Sequence, residues 1–274
     1  MKKLLYVLGL LVAFSACGES TPVIVKEDEQ SGRFRKGDLR VMAYNIHHCN
    51  PPSEKAKIDV GAIARVINQE KPDLVALQEV DVHTERSGKG LDQARELARL
   101  TGMKSYFVKA LDYQGGEYGV AVLSRLPIVD SVGYLLPRNP DLGGEDRAVA
   151  AITVEVPGRG KVLFASTHLD LKEGNRLTES EQIVQHFKGV GLPLILAGDF
   201  NARPGSATIT YFDQHFTRTC IQNCLPTIPV NNPNRTIDFI MYTQASAFKA
   251  LSTQVISAAY ASDHLPVVAE LRME

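Results

Sequence analysis

The chain has 274 residues, of which 44% are hydrophobic and 22% charged, with 21 Gly and 14 Pro. These proportions exclude a disordered, collagen-like or disulfide-dense chain, and the length suffices for a core that needs no metal to fold. Lys and Arg number 30 against 31 Asp and Glu, so no overall basic charge is present to hold a nucleic-acid backbone, although a local patch could serve.

Met1-Lys2-Lys3 is a positive start, followed by eleven apolar residues from Leu4 to Phe14. A membrane-spanning helix takes about 20 such residues, so residues 1–16 read as a secretory signal. Small residues precede Cys17, and the segment resembles a bacterial lipoprotein cleavage box with Phe14 where Leu is usual. That resemblance implies a lipidated Cys17 as the first mature residue; an ordinary signal peptide cut nearby is the alternative. Loss of Lys2 and Lys3 leaves 28 basic residues against 31 acidic, a net −3. The expected location is a bacterial cell envelope, lipid-anchored outside the cytoplasm, or secreted if the box is not used. Residues 17–38, including Lys26-Glu27-Asp28-Glu29, have no apolar period and read as a polar tether.

The body begins at Leu39. Strands are predicted at 39–46, 74–77, 119–123, 148–154, 162–165, 194–197, 236–241 and 266–271, each bounded by Gly, Pro or polar turns. Helices are predicted at 58–69, 92–100 and 175–187 from apolar residues three and four apart, with Pro72 and Gly102 as stops. Alternation of the two without a linker or repeat predicts one α/β domain over residues 39–274, expected as a monomer. Cys49, Cys220 and Cys224 remain after Cys17. Three thiols cannot all pair within one chain; Cys220 and Cys224 could close a small loop, or all three could be inert.

Polar residues gather at the predicted strand ends: Asn45, Gln78-Glu79, Thr167-His168, Asp199-Phe200-Asn201, Asp238 and Ser262-Asp263-His264. Each alone has a plain explanation as a turn cap or solvated charge. Together Glu79, Asp199 and Asp263, with the amides of Asn45 and Asn201, form an oxygen-rich set suited to Mg²⁺ or Mn²⁺. His168 and His264 are left for proton transfer or for a phosphate oxygen. Such a set describes metal-assisted hydrolysis of a phosphate ester. No Gly-rich loop ending in Lys-Ser/Thr and no Gly-x-Ser-x-Gly elbow occurs, which argues against nucleotide-driven and serine-hydrolase chemistry.

Tyr44-Asn45, Leu77-Gln78-Glu79-Val80, Tyr118-Gly119-Val120-Ala121-Val122-Leu123-Ser124-Arg125, Thr167-His168, Gly198-Asp199-Phe200-Asn201-Ala202, Ile237-Asp238-Phe239-Ile240 and Ser262-Asp263-His264-Leu265-Pro266-Val267 occur in this order. The series closely resembles the endonuclease/exonuclease/phosphatase superfamily of DNase I-like hydrolases over residues 39–272. It implies a four-layered α/β sandwich, two mixed β-sheets packed face to face and flanked by helices. It also implies that Asn45 and Glu79 hold the metal, with Asp263 completing the site or supporting it from behind. Asp199, helped by Asn201, would orient or deprotonate the attacking water. His264, paired with Asp238, would contact the scissile phosphate, and His168 would bind phosphate or protonate the leaving group. Tyr118, Arg147 and His47 are the candidate substrate contacts; His48, Arg86 and Arg176 could also face the cleft or be ordinary surface groups. Val120 stands where many relatives have Asn, which removes a donor.

The expected activity is a divalent-metal phosphodiesterase acting on a small or lipid-linked phosphodiester. The segments Tyr118-Gly119 and Thr167-His168-Leu169-Asp170 look most like a branch with the hydrolase-like domains of glycosylphosphatidylinositol-remodelling proteins. An extracytoplasmic nuclease of DNA or RNA is the main alternative, and a non-catalytic binding protein on the same fold is the other. A dead relative would be expected to lack Glu79, Asp199 or His264, and all three are present.

Overall fold

The computed structural model describes residues 38–243 and 248–274. The expected signal, the lipidation site Cys17 and the tether up to residue 37 lie outside the described residues.

Strands β1 (Leu39–Asn45) and β2 (Leu74–Val82) have no polar face over most of their length. Val41, Ala43, Leu74 and Ala76 point to one side, and Met42, Tyr44, Val75 and Leu77 to the other. A strand apolar on both faces needs cover on both, and this requirement generates the layers. The first helix, α1 (Val60–Glu70), is capped by the Asp59 carboxylate, which accepts from the Ala62 N–H. The second, α2 (Gln93–Thr101), is capped in the same way by Asp92 and stopped by Gly102 at φ 66°. Both helices bury their apolar stripes (Ala62, Ile63, Val66, Ile67; Ala94, Leu97, Ala98) against Met42, Tyr44, Val75 and Leu77.

β3 (Lys104–Tyr113) and β4 (Gly116–Ser124) complete the first half of the chain. The second half supplies β5 (Ile128–Leu136), β6 (Arg147–Val156), β7 (Gly160–His168), α3 (Glu173–Phe187), β8 (Leu194–Asp199), α4 (Ala207–Phe212), β9 (Phe216–Arg218) and β10 (Asp238–Thr243). β11 (Phe248–Val255) and β12 (Val267–Met273) return to the first sheet. The sheets run β11-β12-β1-β2-β4-β3 and β5-β6-β7-β8-β10-β9. Their facing sides share one core in which Val41, Ala43, Val120 and Val122 meet Ala150, Ile152, Phe164 and Ile195. A third core packs Val149, Leu163 and Leu196 with Ile183 of α3 and Ile209 and Phe212 of α4. The fold is thus helices, sheet, sheet, helices, the expected four-layered sandwich. Val120 is buried within it, so the missing donor at that position concerns the core.

Each sheet contains one parallel pair, β1–β2 and β7–β8, at its middle. A parallel pair needs a crossover, supplied by α1 and α3. Asn45, His168 and Asp199 are the last residues of β1, β7 and β8, which is where open α/β sheets collect ligands. The expectation that Gln78-Glu79 ends its strand is corrected: β2 runs on to Val82, and Glu79 sits at a bulge where the register with β4 slips between Leu77 and Val80. Its φ of 58° is the left-handed conformation such a bulge imposes. Cys220 and Cys224 are joined by a disulfide, and Cys49 is a buried free thiol in the core under α1 and α2.

Gly198 precedes Asp199 and lies opposite Thr167 in the parallel ladder. A Cβ there would stand 2.0 Å from the Thr167 carbonyl oxygen, and backbone of the sheet centre cannot yield. Gly198→Ala is therefore expected to cost about 1–3 kcal/mol by overpacking, read as a lower urea midpoint with an unchanged slope. A midpoint equal to wild type would show that the ladder accommodates the methyl.

Candidate active site

The ends of β1, β7 and β8, the bulge in β2 and the loop before β12 surround one cleft of about 390 Å³. Its lining includes Glu79, Tyr118, Arg147, His168, Asp199, Asn201 and His264, with Arg86 and Arg235 also contributing. At its floor the sheets are tied by polar contacts, Gln78 Nε2 donating to Ser166 Oγ and Ser166 Oγ to the Leu77 carbonyl, while Ser262 Oγ of the loop before β12 donates to the Asn45 carbonyl.

Asp199 and Asp238 are register partners on β8 and β10, both buried. His264 lies between them, with Nδ1 3.0 Å from Asp238 Oδ2 and Nε2 3.7 Å from Asp199 Oδ2. Burial disfavours the charged ring, but the two carboxylates outweigh it and hold the His264 pKa up at about 10. His264 is accordingly an imidazolium at neutral pH. The Asp199 carboxyl is pushed up, first by burial and then by the charge of Asp238, against the opposing pull of His264. The Asn201 N–H and Asn45 Nδ2 donate to its two oxygens, at 2.8 and 3.1 Å. Thr227 Oγ1 donates to Asp238 from the loop before β10.

His168 behaves in the opposite way. Burial and the adjacent Arg147 charge push its pKa well below the ordinary range, despite Glu79. Asn201 Nδ2 donates to the Leu169 carbonyl at 2.8 Å and stands 3.1 Å from His168 Nε2, so its side chain positions that ring. Arg147 is buried; its Nη1 is 3.4 Å from His168 Nδ1, its Nη2 3.3 Å from Glu145, and its Nε has no partner. The site therefore holds one charged and one neutral imidazole. Such a separation distinguishes an acid or anion-binding group from a neutral one.

Glu79 faces the other side of Asn45, whose Nδ2 donates to Glu79 Oε1 at 3.1 Å as well as to Asp199. Burial would raise the Glu79 pKa, but the His48 imidazole and the Asn45 amide beside it hold it well below the usual range. An ionised carboxylate, a second one sharing the same amide donor and adjacent imidazoles fit a divalent cation in their donor chemistry. Two groups of potential ligands occur among the described residues: His47, His48 and Glu79, and Asp199, Asp238 and His264. In the second group the charge of His264 already compensates the carboxylates.

The structure thus gathers Asn45, Glu79, Tyr118, Arg147, His168, Asp199, Asn201, Asp238 and His264. Asp263 stands apart: it is half-buried, belongs to neither ligand group and does not line the cleft. His47 stacks edge-on against His48 beside Glu79 and does not line the cleft. Arg176 is turned to the Asp170 and Leu171 carbonyls. Arg86 does reach the cleft, held by a bidentate contact to buried Asp81 at 2.7 and 2.9 Å and lying over the Tyr113 ring. Arg235, Tyr113 and Asp81 were not singled out by sequence; only the two-residue spacing of Glu79 and Asp81 along one strand hinted at the last.

A metal-compatible cleft at the ends of two parallel pairs, on facing six-stranded sheets, defines the DNase I-like architecture. The chain belongs to the endonuclease/exonuclease/phosphatase family, whose model matches residues 42–264. It is 30% identical over 172 residues to the uncharacterized protein YbhP of Escherichia coli K12, a match covering 59% of this chain and 65% of that protein, just under two thirds of its length. An endonuclease/exonuclease/phosphatase structure from Beutenbergia cavernae is 28% identical, with a TM-score of 0.71, covering 86% of this chain and 72% of that one. The human nocturnin catalytic domain is 23% identical, with a TM-score of 0.69, covering 88% of this chain and 95% of that one; this likeness is one of fold.

Because the folded pKa of His264 lies above its ordinary 6.5, the ion pair adds stability that is full below about pH 6.5 and is lost as pH rises through about 10. Asp238→Asn is expected to lower the His264 pKa by about one unit or more, followed by imidazole NMR shifts, and to flatten the alkaline fall in stability. An unchanged titration would show that Asp238 does not hold the ring.

Proposed function

We propose that this chain is a divalent-metal-dependent phosphodiesterase acting on a small or lipid-linked phosphodiester by attack of water. The observation that carries the reading is one cleft in which two carboxylates bridged by the Asn45 amide, Glu79 and Asp199, stand together with the cations Arg147 and His264.

His264, as imidazolium, donates to a non-bridging phosphate oxygen and withdraws charge from phosphorus. Asp199, with its raised pKa, accepts the proton of the attacking water. Its Oδ1 is fixed by the Asn201 N–H, so one geometry is presented to the water. Neutral His168 is held beside the departing oxygen by Asn201. Arg147, whose charge does not titrate in the working range, binds the ester's anionic oxygens. Glu79, with Asn45 behind it, would hold Mg²⁺ or Mn²⁺; when bound, such an ion neutralises phosphate charge and polarises the phosphoryl oxygen.

The volume and lining support a small substrate. About 390 Å³ suits one compact ligand, and Leu111, Leu171, Ile228 and Ile237 give the cleft apolar walls around the cations. Leu171 is 71% exposed at this site, consistent with an apolar substituent on the ester. The near-neutral charge balance gives a long duplex little counterion-release affinity.

Chelator is expected to abolish hydrolysis of an aryl phosphodiester, and Mg²⁺ or Mn²⁺ to restore it. Asp199→Asn is expected to retain metal and lose about 10²–10⁴ in kcat, whereas Glu79→Gln raises the metal concentration required. Duplex DNA, single-stranded RNA, phosphoinositides and aryl phosphodiesters compared across salt test the substrate. Cleavage confined to DNA or RNA, with a steep salt dependence, would replace the small-ester reading with a nuclease. Full activity after metal removal would overturn the mechanism.

A further inference from the structure

The turn after β1 is built in an uncommon way. His47, His48 and Cys49 have φ of 44°, 41° and 58°, and Glu79, which the two histidines face, has 58°. Consecutive left-handed residues other than glycine cost energy and persist only where the surroundings enforce them. Here the His47 N–H donates to Asn45 Oδ1, the Cys49 N–H to the Ile46 carbonyl, and Gln93 Nε2 to the His48 carbonyl at 2.7 Å. The outcome is that both imidazoles are brought to the Glu79 carboxylate.

Their nitrogens are prepared differently from those of a surface histidine. His47 Nδ1 lies 2.9 Å from the Asn50 carbonyl oxygen. A carbonyl only accepts, so Nδ1 carries a proton and Nε2 is the nitrogen left to offer a lone pair to an ion. A ring N–H donated to a backbone carbonyl is the usual support of a metal-binding histidine. His48 Nδ1 is buried without a hydrogen-bond partner and lies 3.9 Å from Glu79 Oε2. A buried nitrogen left unsatisfied costs free energy, and an ion at Glu79 would satisfy it. One ligand atom from each of His47, His48 and Glu79 lies within 4.8 Å of the others. Ligands about 2.0–2.2 Å from a common ion are at most about 4.4 Å apart, so closure requires only a few tenths of an ångström.

We propose that His47 and His48 join Glu79 in a mixed nitrogen–oxygen site for a borderline divalent cation such as Mn²⁺, Co²⁺ or Zn²⁺, in place of an all-oxygen Mg²⁺ site. The inference rests on the metal-dependent hydrolase reading and sharpens it: imidazole suits these ions, whereas Mg²⁺ favours oxygen and keeps its waters. Any such site ranks Zn²⁺ above Mg²⁺ by intrinsic affinity, so the ranking alone is not diagnostic. Nitrogen at the ion is.

The test strips the full chain of metal, reloads it with Mn²⁺ and records pulsed electron paramagnetic resonance for ¹⁴N coupling. Coupling is expected in the wild-type protein. It is expected to be lost in the double variant H47N/H48N, since Asn tolerates the left-handed backbone. The same variant should weaken Co²⁺ and Zn²⁺ binding about tenfold or more relative to its effect on Mg²⁺. The wild-type spectrum decides the matter even if the variant misfolds. Bound Mn²⁺ without ¹⁴N coupling, in a protein whose hydrolysis still requires metal, would overturn this inference and leave the function standing. No Mn²⁺ binding at all, with hydrolysis intact, would overturn both.

Discussion

Two carboxylates placed directly opposite one another on adjacent antiparallel strands repel, and Asp199 and Asp238 are so placed in the buried middle of the second sheet. The strand pair tolerates them because the His264 ring, carried on the loop before β12, inserts between them. At an effective dielectric near 20, a unit charge pair about 4 Å apart interacts by the order of 4 kcal/mol before desolvation, and the ring attracts two carboxylates where only one pair repels. The chemistry follows from that balance. The same carboxylate that needs His264 for its stability is the one with a raised pKa, and the same ring that compensates it presents a proton to the cleft.

The layering makes this balance possible. β8 and β10 belong to one sheet, while the loop bearing His264 joins β11 to β12 of the other. Each sheet brings one parallel pair to the seam, so the cleft is shared by both and belongs to neither. Ser262, two residues before His264, donates to the carbonyl of Asn45, the residue whose amide joins Glu79 to Asp199. Packing of the two sheets and assembly of the cleft are thus one event.

Sequence legibility followed the physics of burial. All eight inner strands were recognisable as apolar runs, whereas β3, β5, β9 and β11, the outer strand at each end of the two sheets, were not. An edge strand has one partner and an exposed face: β5 reads Ile-Val-Asp-Ser-Val-Gly-Tyr with most of its residues exposed, a pattern close to that of a loop. Residues at the ends of inner strands were legible for the same reason, since a polar residue ending an apolar run is conspicuous. Glu79 was found but placed at a strand end, because a bulge is set by pairing with β4 and leaves no local trace. His47 was read as a substrate contact, and its placement beside Glu79 depends on the left-handed turn after Ile46, which no residue type announces. The pairing of Cys220 with Cys224, left open by count alone, depended on a loop that only the fold closes.

The first described pairing of the body is also its rearmost. β1 starts at Leu39, paired with Leu271, and runs seven residues to Asn45 in the cleft, a rise of about 20 Å. Arg272 grips Asp38 at that starting end and ties the last strand to the start of the first. The clasp that closes the body thus stands as far from the reacting groups as β1 is long.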